Sequence, residues 1–193
     1  MKKYIILVAV AACSFSILNA QNQLSDFRNF QWGSSAEQIQ QNEKSAFSFK
    51  DNDNMFVYKD ELAGYTCNVT YEFNEDNKLV SGNYIFTKRY TNPQLYEQDY
   101  LNFKNLLIRK YGQPVKVKEN WDDTHYLASK KTIDGSNNNS TQQLLSEWTT
   151  SRSNIEIALD KADNIYTLHI QYTAKSPVEL LNQDAVQNAL SKL

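Results

Sequence analysis

Asp122-Asp123-x-His125, beside Trp121, is the one compact grouping of carboxylates and imidazole in the chain. Such a set suits a divalent cation or a general base, because imidazole nitrogen and carboxylate oxygen are both metal ligands and proton acceptors. Neighbours in sequence rarely converge on one ion without a tight loop, and no second group at a recognisable spacing adds a further ligand. The pattern therefore reads as a polar loop entrance, with a small metal-dependent hydrolase as the alternative. The other histidine, His169, falls in a run where Tyr166, Leu168, Ile170 and Tyr172 take one face and Thr167, His169 and Gln171 the other. That parity makes it a solvated strand residue.

Cys67 shares the apolar parity of Tyr65, Val69, Tyr71 and Phe73, against Thr66, Asn68, Thr70 and Glu72. A thiol on that face stays protonated and inert. Asp51-Asn52-Asp53-Asn54 begins like a calcium loop, but Met55 takes the fifth position and neither the glycine nor the closing glutamate follows, so it reads as a turn. Five dispersed glycines leave no phosphate-cradling loop, and the serine-nucleophile elbow is absent. No cofactor and no catalytic residue is expected.

The elements that would position these groups follow from period and punctuation. Ser34 and Glu37 form a capping box opening a short helix from Ser35 to Glu43. Trp32 just before it packs on that helix and anchors the entering chain, with Gly33 freeing the turn. Strand-like runs cover Phe47–Lys50, Met55–Lys59, Tyr65–Phe73 and Leu79–Thr87, the last two joined as a hairpin through Asn74-Glu75-Asp76-Asn77. Asn92-Pro93 caps the longest helix, whose stripe is Tyr96, Tyr100, Phe103, Leu107 and Tyr111, with Gly112 and Pro114 closing it. Further strands are expected at Val115–Asn120, Leu145–Thr150, Asn154–Leu159 and Ile165–Thr173, after a polar surface loop over Trp121–Gln143. Ser176-Pro177-Val178-Glu179 signals a closing C-terminal helix.

The fold class expected is α+β: an antiparallel sheet with helices packed on one face, built as two fused helix-plus-sheet units over 21–90 and 91–193 that make one compact domain. Laying Asn68–Thr87 on Asn154–Thr173 without gaps matches Val69 with Ile155, Tyr71 with Ile157, Phe73 with Leu159, Tyr84 with Ile170 and Phe86 with Tyr172. This repeats a pattern and not a sequence. The helix over 92–111 is expected to roof the tyrosine- and valine-lined side of the middle strands.

The first twenty residues, MKKYIILVAVAACSFSILNA, read as an export signal with a basic start, an apolar run and a small residue at Ala20. Cleavage there leaves Cys67 without a disulfide partner, while Val10-Ala11-Ala12-Cys13 offers a lipoprotein box as the less favoured alternative. The destination is periplasmic or secreted. Twelve tyrosines, nine phenylalanines and three tryptophans in 193 residues supply the core instead. Twenty Lys and Arg against 22 Asp and Glu give a net charge of −2, and without a basic run nucleic acid is not an expected partner. Past the leader, no segment is long and apolar enough to span a membrane.

Phe30-x-Trp32-Gly33-x-Ser35-x-Glu37, the Lys110-Tyr111-Gly112-x-Pro114 helix stop and the alternating hairpins resemble a set of small exported bacterial proteins without an assigned activity. Their layout is similar to the beta-lactamase-inhibitor-protein class and, for one unit, to small lipoproteins of outer-membrane assembly. The resemblance implies protein-binding surfaces and no catalytic centre, and carries over no functional residue. The expected function is that of a non-catalytic binding or interaction protein of the cell envelope, its partner another envelope or secreted protein. The polar sheet face with Thr66, Thr70, Asn83, Thr167, His169 and Gln171 is the candidate binding surface. An apolar-ligand carrier with a cavity between sheet and helix is a further reading.

Overall fold

The computed structural model describes residues 25–51, 54–120, 142–162, 165–176 and 190–192. Their order is α1 (Ala36–Asn42), β1 (Ala46–Asp51), β2 (Met55–Leu62), β3 (Tyr65–Phe73), β4 (Leu79–Phe86), α2 (Gln94–Tyr111), β5 (Lys116–Asn120), β6 (Gln142–Thr149), β7 (Ser153–Ala162) and β8 (Ile165–Ala174). All eight strands join one antiparallel sheet in the order β1-β2-β3-β4-β8-β7-β6-β5. A helix followed by a four-strand meander thus occurs twice, and the meanders meet at β4 and β8.

The helix starts show how local chemistry and tertiary pairing compete. The cap of α1 is Ser35, one residue later than the sequence suggests: the Gln38 N–H donates to Ser35 Oγ (3.3 Å), and the Ser35 N–H donates to Gln38 Oε1 (2.8 Å). Ser34 cannot open the helix because its carbonyl accepts from the Leu79 N–H (2.9 Å), which keeps the chain extended to Ser35. In α2, Pro93 already has helical angles and Asn92 Oδ1 accepts from the Gln94 N–H (3.1 Å). Gly112 closes that helix at φ +81°, a conformation open to glycine at little cost.

Tyr96, Tyr100, Phe103 and Leu107 are buried on one stripe of α2, as their spacing requires. The helix lies over β6, β7 and β8. The hydroxyls of Tyr100 and Ser146 share a hydrogen bond of 2.8 Å, and Phe103 packs on Phe86 with centroids 4.2 Å apart. The expectation that α2 roofs the middle strands therefore holds in part: Phe103 covers only the Tyr65–Phe86 end of β3 and β4, and the rest of their apolar side is covered by the segment before α1.

Phe27, 1% exposed, sits among the rings of Tyr71, Tyr84 and Tyr172 at centroid distances of 5.4, 5.2 and 5.3 Å. Its ring lies directly on Gly82, where a Cβ would overlap it. Gly82 pairs with Tyr71 on one side and Tyr172 on the other, so Phe27 covers the seam between the meanders. Both sides are then tied to the same segment. Arg152 Nε donates to Asp26 Oδ1 (2.8 Å), the Trp32 indole N–H donates to Ser153 Oγ (2.9 Å), and the Gly33 N–H donates to the Leu79 carbonyl (2.9 Å). Trp32 is buried as expected, but it anchors across the molecule to the start of β7.

Tyr84 stands opposite Ile170 at the β4–β8 join, the pair matched by the ungapped overlay. In the flanking strands that overlay slips by two residues. Val69 lies opposite Tyr84 and Ile157 opposite Ile170, so the register equivalent of Val69 is Ile157 and not Ile155. The longer β3–β4 connection and a bulge at Glu72/Phe73 absorb the difference. Gln142 and Gln143 belong to β6 and not to the expected loop; residues 121–141, and 177–189 of the expected C-terminal helix, lie outside the described residues.

Gly82→Ala is expected to destabilise by about 1–3 kcal/mol through overpacking, and Phe27→Ala by about 3–5 kcal/mol. Chemical denaturation of both and of the double variant checks this: the Gly82→Ala cost should shrink in the Phe27→Ala background. Among the described residues Tyr58 carries a buried hydroxyl without a hydrogen-bond partner. Removing it leaves no partner orphaned, so Tyr58→Phe should leave the denaturation midpoint unchanged or raise it.

Candidate functional site on the open face of the sheet

Strand alternation that buries Tyr71, Tyr84 and Ile157 beneath the helices turns the intervening residues to the opposite face. Both described helices and the 26–34 segment pack on the first face, and no described helix lies on the second, called here the open face. Its central rung runs Val57, Thr70, Asn83, Gln171, Glu156 and Glu147 from β2 to β6, each opposite the next. The neighbouring rung places Ile85 opposite His169 and His169 opposite Ala158. Thr66 and Thr167 lie on the same side, Thr167 opposite Asp160. All six residues named from the sequence therefore share one face.

They differ in availability. Thr70 and Asn83 are 3% and 7% exposed. They satisfy one another, Asn83 Nδ2 donating to Thr70 Oγ1 (3.0 Å) and towards Glu72 Oε1 (3.5 Å). Gln171 Nε2 reaches Ser81 Oγ (3.4 Å), and the Thr66 hydroxyl lies 3.1 Å from that of Thr87. His169 stands between two carboxylates, Nε2 at 3.5 Å from Glu156 Oε1 and Nδ1 at 3.7 Å from Asp160 Oδ2, and Gln143 Nε2 donates to Asp160 Oδ1 (2.8 Å). The histidine is thus flanked by acids, and among the described residues no group of three His, Cys, Asp or Glu is placed to hold a metal ion.

The open face is indented where the central join ends. β4 and β8 pair only from Ser81↔Thr173 to Ile85↔His169, and past Ser81 the backbone of Leu79 bonds to Gly33 and Ser34 instead. The diverging ends, backed by Trp32 and Leu79, enclose a hollow of about 570 Å³ that also touches Val80, Ser81, Gln171 and Thr173. A smaller one of about 160 Å³ lies on the other side of Gln171 and Thr173, against Thr149, Asn154 and Glu156. Gln171 is the member of the predicted patch that borders both.

The densest ionisable cluster lies elsewhere, at the α1–β2 end of the covered face. Arg28 Nη1 meets Asp60 Oδ2 at 2.6 Å and Arg28 Nε meets Glu43 Oε2 at 3.3 Å; Ser45 Oγ donates to Asp60 Oδ2 (2.7 Å), and the Tyr71 hydroxyl donates to Glu43. Burial pushes the Glu43 carboxyl up, but hydrogen bonds from Tyr71 and Ser45 and the Arg28 charge outweigh it and hold the group below its ordinary value. Asp60 is lowered too, burial being outweighed by Ser45, the Glu61 N–H and Arg28. Every charge has a partner, so the cluster acts as a clamp on the 26–34 segment. Cys67 is buried as its parity requires, its thiol pushed up to about 11 chiefly by burial.

Asp122, Asp123 and His125 lie outside the described residues, as do residues 52 and 53 of the expected turn. The sequence reading missed Asp26, Phe27, Arg28, Gly82, Arg152 and Ser153. One signal could have pointed there: a glycine inside a strand, which marks close approach by another group.

No protein-family model and no curated protein matches the chain. Among solved structures it is similar to a DUF4309 family protein (YjgB) from Bacillus subtilis, at 12% identity, covering 74% of this chain and 79% of that one with a TM-score of 0.38. A likeness that distant carries no argument about fold or function. No helix among the described residues is long and apolar enough to cross a membrane.

The clamp sets a pH dependence. A carboxylate lowered in the fold from an unfolded value near 4.5 contributes its full stability above that pH and loses it as pH falls through the lowered folded value. Glu43→Gln should be less stable than wild type at neutral pH and should lose less further stability on acidification below about 4.5. Urea midpoints against pH check it; parallel curves would remove Glu43 from the account.

Proposed function

We propose that the chain is an exported, non-catalytic binding protein of the bacterial cell envelope, made of two fused helix-plus-sheet units, that meets its partner on the open face of the sheet. One observation carries the reading: both described helices and the 26–34 segment are gathered on one face, while no described helix lies on the other, where the central rung from Thr70 through Asn83, Gln171 and Glu156 to Glu147 is polar. The resemblance of the sequence pattern to the beta-lactamase-inhibitor-protein class and the reading of residues 1–20 as an export signal support the same assignment. Thr66, Thr167, His169 and Gln171 supply the accessible polar contacts, and Thr70 with Asn83 keeps the centre rigid. An apolar-ligand carrier is the second reading. The hollow beside Gln171 favours it, although it opens on the sheet face and not between sheet and helix, where Tyr100, Phe103 and Ile157 fill the space.

A photocrosslinker in place of Thr167 should give one discrete adduct in the native host, and the same group in place of Leu106, exposed on α2, should give none. Equal labelling from both positions would remove the open face as the partner surface. Mass spectrometry of the purified chain should show an N-terminus at Gln21; a lipid-bearing Cys13 would replace that expectation.

A further inference from the structure

The sheet ends on two edges, β1 and β5, whose outward backbone groups meet no other described strand. Such edges template pairing with another strand unless charge or shape prevents it. On β5, Lys116 and Lys118 alternate with Val117, so antiparallel registers centred on those residues set lysine against lysine when a second copy approaches. β1 is built differently. Phe47 and Phe49 are 52% and 50% exposed, and the charges are Lys44 before the strand, Asp51 at its close and Lys50, which pairs with Phe56 and so lies on the opposite face from Phe49 and Asp51.

A bulge between Phe47 and Phe49 resets the side-chain parity. Ala46 pairs with Lys59 and Phe49 with Val57, two positions apart on β2, so Ala46 and Phe49 lie on the same face of the sheet. An antiparallel copy of β1 aligned with Lys44 opposite Asp51 therefore places Ala46 opposite Phe49 on one face, large against small. The two-fold axis repeats both pairs. We propose that β1 is an interface between two copies of this chain, joined antiparallel with Lys44 of each opposite Asp51 of the other, extending the sheet to sixteen strands. The self-complementary charge and the matched Ala46–Phe49 pair select a second copy over an unrelated peptide. The chain already contains a join of this kind, since β4 and β8 meet antiparallel about Tyr84 and Ile170.

Sedimentation equilibrium of the mature protein, up to about 1 mM so that a small contact registers, should show a reversible dimer. Lys44→Asp and Asp51→Lys should each weaken it roughly tenfold, replacing two attractive pairs by two repulsive ones, and the double variant should restore it. Both residues are exposed, so the fold survives these changes. Ser48→Cys should crosslink dimers under oxidation, because Cys67 is buried and does not compete. A monomer at every concentration, single reversals without effect, or a double variant as weak as the singles would each overturn the proposal.

Discussion

Everything on the covered face depends on Phe27 lying flat against Gly82. Burying a phenylalanine removes enough apolar surface from water for roughly 1.5–3 kcal/mol, and here that surface is shared among three tyrosines from both sides of the seam. The contact exists only because β4 carries no side chain at that point. A hydrogen-bonded join of five residue pairs would otherwise be the main link between the meanders. Asp26 and Trp32 bind the β7 side and Gly33 and Ser34 the β4 side, so the segment works as a cross-strap.

The strap also explains which parts of the fold were legible beforehand. Tyr65–Phe73 was read to the residue because one strand face is apolar and the other polar at period two. The α2 stripe was read because cap, proline and terminal glycine agreed with a 3.6 period. Phe27 has no such context: it is an isolated aromatic in a polar stretch, and its partners are distant in sequence. Asp26 and Arg152 are 126 residues apart, and no local pattern announces their pairing. The cap of α1 was misplaced by one residue for the same reason, since the Leu79 backbone captured Ser34 and overrode a sound local signal.

The candidate face was legible in parity but not in burial. Period two assigned Thr66, Thr70, Asn83, Thr167, His169 and Gln171 to one side, and the strand registers place them there. Alternation says nothing about how strands sit beside each other, so the burial of Thr70 and Asn83 could not be read from it. The acids flanking His169 come from β7, two positions either side of its direct partner Ala158, and emerge only from the pairing.

The buried pair also limits how that face can be used. A hidden hydroxyl or amide costs free energy unless it is hydrogen-bonded, and Thr70 with Asn83 meets that condition internally. Apolar side chains would fill the same space but would extend the apolar surface of Val57 across β3 and β4 to Ile85, on a face that no described helix covers. The polar pair interrupts that surface and keeps this part of the face compatible with water. A partner gains little by competing for groups already bonded to each other, because any new hydrogen bond must replace an existing one. Its recognition therefore falls on the surrounding residues, Gln171 between the two hollows and His169 between its acids, where side chains still meet solvent.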